Sequence, residues 1–166
     1  MFRHVAKRMP IRHAFSFALV ASTLAFGAVS AHAGQCPADK VVASGAGQKK
    51  SDAAAKGVTD TVIASTNLAN EPVRLNDRLF RLRRLVIEPG GIVPWHSHAD
   101  RPAIIYIIQG EITEYASNCS VPIVHKAGEP ATETHATAHW WVNTGNETVV
   151  LLSADLFPTK DNPHMM

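Results

Sequence analysis

Three histidines have the spacing from which chemistry can be built. His96 and His98 flank Ser97, and His139 opens the later run His139-Trp140-Trp141-Val142-Asn143. Alternate residues of a strand share a face, so His96 and His98 point the same way, ~6–7 Å apart along the strand. Two imidazoles so placed can reach one ion through Nε2 at ~2.0–2.1 Å. His139 offers a third nitrogen from a separate strand. Three neutral imidazoles leave a divalent ion its full 2+ charge, which suits a Lewis-acid or oxygen-activating centre. Divalent Fe, Mn, Zn and Ni all fit such a donor set. A His-x-His pair alone also occurs on solvated strands, so the elements around it decide its weight.

Those elements read as strands. After Glu71-Pro72, short β-type runs alternate with turn residues at barrel-like intervals. Leu79 to Glu88 is one run, which Pro89-Gly90-Gly91 is expected to stop. Ile104 to Ile108, Ile112 to Tyr115, Val121 to His125, His139 to Val142 and Thr148 to Ser153 follow. No segment carries a helical period, and the fold class is all-β.

The histidines also fall into two spaced motifs. Gly90, five residues, His96-Ser97-His98, eleven residues and Gly110 form the first. Gly128, five residues, Thr134-His135-Ala136, two residues, His139, three residues and Asn143 form the second, with 17 residues between Gly110 and Gly128. Over about Arg78 to Asp155 the chain resembles the small single-domain bacterial cupins, the type-2 conserved barrels. That resemblance implies a double-stranded β-helix, or jelly-roll barrel, with a metal held by His96, His98 and His139. It also implies a surface through which such barrels often dimerise. The three-His iron site of thiol dioxygenases is the nearest precedent. The family's motif glutamate falls at Ala103, and its Pro and Gly at Thr134 and Ala136, so the carboxylate ligand is missing. Glu133, Glu111 and His135 are the residues that could refill the position, His135 being the preferred reserve ligand.

Strand parity then gives an expected pocket. With His96 and His98 inward, Pro94 faces in too. Ala103, Ile105 and Ile107 face in, and so do Trp141 and Asn143. The result is three imidazoles in a largely apolar cup, suited to a small organic ligand with one metal-seeking polar end. Arg101 either pairs with Asp100 or reaches over the cup to a substrate carboxylate. The run Arg78, Arg81, Arg83, Arg84 reads as one charged edge or face of a strand. Ile104, Tyr106, Ile108 and Trp140 face outward and are too apolar for a solvated face, which points to a covering sheet or a second copy in a homodimer. His125 reads as a hydrogen-bonded structural histidine.

The N-terminus has the order of a secretory leader: basic Arg3, Lys7, Arg8 and Arg12, an apolar run from Ala14, then Ala31-His32-Ala33. The apolar run is shorter than the ~20 residues that span a bilayer. Cleavage after Ala33 removes residues 1–33 and leaves no stable membrane anchor. It puts the mature chain in the periplasm or outside the cell. Residues 34–70 are expected to form a poorly ordered lead-in with one strand near Val58–Ile63, and 71–166 the barrel. Without the leader's four basic residues the formal charge of +2 becomes −2, which gives no electrostatic case for nucleic acid. Cys36 and Cys119 are the only cysteines, and an oxidising compartment would permit a disulfide between them. Three functions fit: a metal-dependent enzyme on a small organic molecule, a barrel that binds or senses a small ligand or metal without turnover, or a structural or interaction domain with vestigial histidines.

Overall fold

The computed structural model describes residues 35–160. The leader expected over 1–33, its cleavage site and His164 lie outside the described residues. Contacts divide the chain into 1–30 and 31–166, and the described residues all belong to the second unit.

Eight strands form an antiparallel sheet: β1 (Lys56–Asn67), β2 (Arg78–Ser97), β3 (Ala103–Gln109), β4 (Glu111–Ala116), β5 (Ile123–Lys126), β6 (Pro130–Glu133), β7 (Ala138–Val142) and β8 (Val149–Pro158). Their order is β5-β4-β7-β2-β8-β3-β6, with β1 added beside β2, and the sheet curls into a nearly closed barrel. Backbone bonds from Ala127 to Gly110 (3.0 Å) and from Gly128 to Ile107 (2.9 Å) draw the β5–β6 turn onto the β3–β4 turn. Among the described residues no helix is long and apolar enough to cross a membrane.

β2 is the spine of the barrel. Its first half pairs with β8 over Arg78–Ile87, and its second half pairs with β7 over Ile92–Ser97. The expected stop at Pro89-Gly90-Gly91 is instead a bend within one strand. A Cβ on Gly91 would lie 2.6 Å from Ile87 Cγ2, so only glycine lets the chain fold this closely on itself. The pairing survives the bend because Gly90 N–H donates to Asn143 O (2.9 Å) and Asn143 N–H to Gly91 O (3.0 Å).

The strands bury one face and expose the other. On β3, Ala103, Ile105 and Ile107 are buried while Ile104, Tyr106 and Ile108 are about half exposed on the single chain. Trp140 is half-buried and stacks on Tyr115, with ring centroids 4.3 Å apart. Ile87, Ile107, Ile112 and Val149 form the fully buried centre of the core, each stabilising the fold by about 1.5–3 kcal/mol relative to exposure.

One local irregularity changes which residues face the interior. Val93 stands opposite Trp141 and His96 opposite His139, so β2 carries one residue more than β7 between these pairs. This bulge resets the alternation. Val93, His96 and His98 point inward, and Val93 takes the place expected for Pro94, which is half-buried.

The lead-in expected to be poorly ordered is held against the β4–β5 connection. A Cys36–Cys119 disulfide anchors its start. Val42 N–H then donates to Asn118 O (3.0 Å), and Gly45 and Gly47 both donate to Ser117 O (2.9 and 2.8 Å). A Cβ on Gly47 would lie 2.4 Å from Cys119 O, so the approach requires glycine. The single strand expected near Val58–Ile63 is β1, which lies along the first half of β2.

Candidate metal centre

The bulge and the β2–β7 pairing bring His96, His98 and His139 to one point. Their Nε2 atoms lie 3.2 Å apart for His96–His98, 3.0 Å for His98–His139 and 3.0 Å for His96–His139. All three side chains are buried. The geometry of their other ring nitrogens sets the chemistry. His96 Nδ1 faces Pro94 O at 2.9 Å, His98 Nδ1 faces Arg101 O at 2.7 Å, and His139 Nδ1 faces Glu114 Oε1 at 2.5 Å. Each of these partners accepts a hydrogen bond, so each Nδ1 carries the proton and donates it. A neutral imidazole protonated at Nδ1 presents a bare lone pair at Nε2. Three Nε2 atoms therefore converge at about 3 Å, where their lone pairs repel unless a proton or a metal ion lies among them. One extra proton relieves one contact at a time, whereas one metal ion relieves all three. The donor set fits a divalent transition metal.

The second layer is built around Glu114 of β4. Its Oε1 accepts from His139 Nδ1, and its Oε2 faces His125 Nε2 at 2.8 Å. His125 in turn stacks on Trp141, with centroids 4.4 Å apart. Trp141 Nε1 lies 3.0 Å from the same His139 Nδ1, but the ionised carboxylate is the stronger partner and keeps the Nδ1 proton. Burial alone would raise Glu114, yet His139 and the bonds from His125 and His139 hold it down at about 2. Glu133 lies 3.5 Å from His139 Nδ1 on the same side, and burial pushes it up to about 7 despite His139. Burial opposes charge on His139, but Glu133 and Glu114 raise it above the usual histidine range. Burial, then His139, pulls His98 down to about 3 and His96 well below its usual value. His96 and His98 are thus neutral and available as ligands at neutral pH, and a bound ion would displace from His139 Nε2 the proton that its carboxylate neighbours favour in the metal-free protein.

The Nε2 cluster opens into a narrow cavity of about 40 Å³ inside the barrel. Of the residues expected to line it, Ile105, Trp141 and Arg101 do so. Ala103 is buried but borders a different depression, beside Phe80 and Ile104. Asn143 is a structural clip: its Nδ2 donates to Ile87 O (3.0 Å) and Glu147 O (2.7 Å), and its Oδ1 accepts from Gly145 N–H (3.0 Å). His135 is exposed and lies outside the trio, in a wider depression that also reaches His98. Neither glutamate weighed as a replacement ligand joins the Nε2 cluster: Glu111 is exposed beside Lys126, and Glu133 lies behind His139.

The arginine run of β2 differs most from its sequence reading. Arg81 and Arg83 share the inward face with Leu85 and Ile87, and both meet the fully buried Asp155 of β8. Arg81 binds it through Nε (2.9 Å) and Nη2 (2.7 Å), and Arg83 Nε lies 3.5 Å away. Arg101 Nη1 joins them at 3.2 Å, while Asp100 pairs with Arg78 instead. Asp60, supplied by β1, pairs with Arg83 Nη1 at 2.5 Å. Strand parity could have found this cluster. Arg81 and Arg83 stand four and two residues before Leu85, and Glu114 two residues after the buried Ile112.

The comparisons with known proteins agree with this architecture. Residues 83–155 match the family described as Cupin domain. A protein with a double-stranded β-helix domain from Klebsiella pneumoniae subsp. pneumoniae MGH 78578 is similar at 20% identity and TM-score 0.50, over 69% of this chain and 86% of that one. The cupin domain of Schizosaccharomyces pombe Cnp3 is similar at 15% identity and TM-score 0.49, over 61% of this chain and 65% of that one. A cupin 2 conserved barrel domain protein from Salinispora arenicola CNS-205 is similar at 16% identity and TM-score 0.47, over 59% and 74%. No curated protein matches the chain significantly in sequence. With its jelly-roll barrel, its two spaced motifs and this domain match, the chain carries a cupin domain over residues 83–155.

Proposed function

We propose that the protein holds one divalent transition metal, Fe, Mn, Zn or Ni, on His96, His98 and His139 and acts as a metal-dependent enzyme on a small organic molecule. The observation that carries this reading is the convergence of three Nε2 atoms within 3.2 Å of one another, on rings whose Nδ1 partners are all acceptors. When bound, the ion would supply Lewis-acid or oxygen-activating chemistry at positions the three imidazoles leave open. Glu114 fixes the ring of His139 and makes it a stronger donor. Trp141, Ile105 and Leu151 wall the cavity against water. The reading includes export to the periplasm or beyond, which the Cys36–Cys119 disulfide supports because such bonds persist in oxidising compartments.

The test is turnover of a panel of small acids, thiols and sugars by protein loaded in turn with each ion. Activity with one ion, lost on chelation and in His96→Ala, supports the enzyme. Metal and ligand binding with no turnover under any loading would make the protein a binder or sensor instead.

A further inference from the structure

On the Nδ1 side of His139 lies a second and larger cavity, of about 190 Å³. Glu114, Glu133, Thr137, Asn118 and Gln35 stand on its wall, and among the described residues no lysine, arginine or histidine borders it. Every polar side chain there carries an oxygen. The two carboxylates differ in how they are held. Glu114 faces His139 with one oxygen and His125 with the other. Glu133, only 3% exposed, accepts no hydrogen bond among the described residues. Its one charged neighbour is His139 Nδ1 at 3.5 Å, whose proton goes to Glu114. A desolvated carboxylate without hydrogen bonds is costly unless a cation, a proton or water meets it. Beside it, Asn118 Nδ2 donates to Thr137 Oγ1 (3.3 Å), which leaves the amide oxygen for another partner.

We propose that this cavity is a calcium site, with charged oxygens from Glu133 and Glu114, neutral ones from Asn118 and Thr137, and water completing the shell. Glu114 and Glu133 offer ligand atoms within 4.8 Å of each other. Calcium binds oxygen at ~2.3–2.6 Å, so one ion can touch both carboxylates. Carboxylate, amide and hydroxyl oxygens suit a hard cation, unlike the imidazole trio. These donors come from β4, β6 and the connections that follow them. Calcium accepts so irregular a set, whereas magnesium demands a near-ideal octahedron. The volume leaves room for the ion and several waters. The site uses no Nε2 atom of the three-histidine centre and does not depend on that centre holding a metal. Two carboxylates with few neutral oxygens give a Kd of about 10⁻⁴–10⁻³ M. Calcium so held leaves during purification in calcium-free buffer.

The experiment is calorimetric titration of the chelator-treated full chain with calcium chloride and with magnesium chloride, in mildly alkaline buffer. Glu133→Gln and His96→Ala/His98→Ala are titrated beside the parent, with folding checked by circular dichroism. One calcium ion per parent chain is expected, with magnesium at least about tenfold weaker. Glu133→Gln should weaken calcium by about tenfold or more, while the histidine variant binds calcium as the parent does. No calcium binding by the parent below about 10 mM overturns the proposal. So does unchanged binding in a folded Glu133→Gln, or magnesium binding as tight as calcium. Calcium lost in a folded histidine variant also overturns it, because the ion would then sit on the imidazoles. Should Glu133→Gln fail to fold, the parent and the histidine variant decide: binding in both supports the site, and binding in neither overturns it.

Discussion

Glu114 Oε1 lies 2.5 Å from Nδ1 of His139, and this buried contact fixes which nitrogen of His139 faces its two partner histidines. A carboxylate in that place holds the ring, keeps Nδ1 protonated and raises the basicity of Nε2. Glu114→Gln keeps the shape and removes the charge. It is expected to weaken metal binding about 10–100-fold, read by competition with a chromogenic chelator. Unchanged affinity in a folded Glu114→Gln would show that the contact does not position the ligand.

Much of the site was legible in the sequence, and the exceptions have physical causes. His96, His98 and His139 were found because strand alternation and motif spacing both act on them. Pro94 and Val93 exchanged roles because a one-residue bulge, invisible to parity, sits between Val93 and His96. Asn143 stands in a motif position but spends its side-chain hydrogen bonds closing its own turn and clipping it to Ile87 of β2. Charge makes the arginine run read as one charged edge or face of a strand, whereas parity with Leu85 and Ile87 turns Arg81 and Arg83 inward. Their counter-ion Asp155 lies 72 residues beyond Arg83 in sequence, and only the β2–β8 register joins them. The fold class needed none of these details, since it follows from repeated short apolar runs and turns.

Asp155 is the buried counter-ion of three arginines, so removing its charge should be costly. Asp155→Asn leaves guanidiniums desolvated and under-compensated, a loss of about 3–5 kcal/mol in chemical denaturation. Loss of less than about 1 kcal/mol would mean that the cluster does little to hold the barrel.

Glu133 gives the metal-free protein a pH dependence. Its folded carboxyl, pushed up to about 7 by burial, holds its proton across a range where the unfolded chain has released it. The folded state then binds more protons than the unfolded state, so stability is fully present below the ordinary glutamate range and falls as pH rises through about 7. Replacement by Gln removes this term. Metal-free Glu133→Gln should therefore gain on the parent between pH 5 and pH 8, by on the order of 1–3 kcal/mol. Parallel pH profiles for the two proteins would contradict this.

The Cys36–Cys119 disulfide closes a loop with a sequence separation of 83 and ties the lead-in to the barrel. Loss of the cross-link is expected to cost about 2–4 kcal/mol. The Cys36→Ser/Cys119→Ser protein should melt roughly 10 °C lower while keeping its metal affinity, because neither sulfur lines the histidine cavity. A coincident loss of metal binding would indicate that the lead-in supports the centre as well as the fold.

The most direct measurement is elemental analysis of the full-length protein, purified without an affinity tag, beside a His96→Ala/His139→Ala variant. About one divalent metal per chain in the parent and none in the variant is the predicted result. No metal in either, after incubation with Fe(II), Mn(II), Zn(II) and Ni(II) in turn, would contradict the three-histidine metal centre.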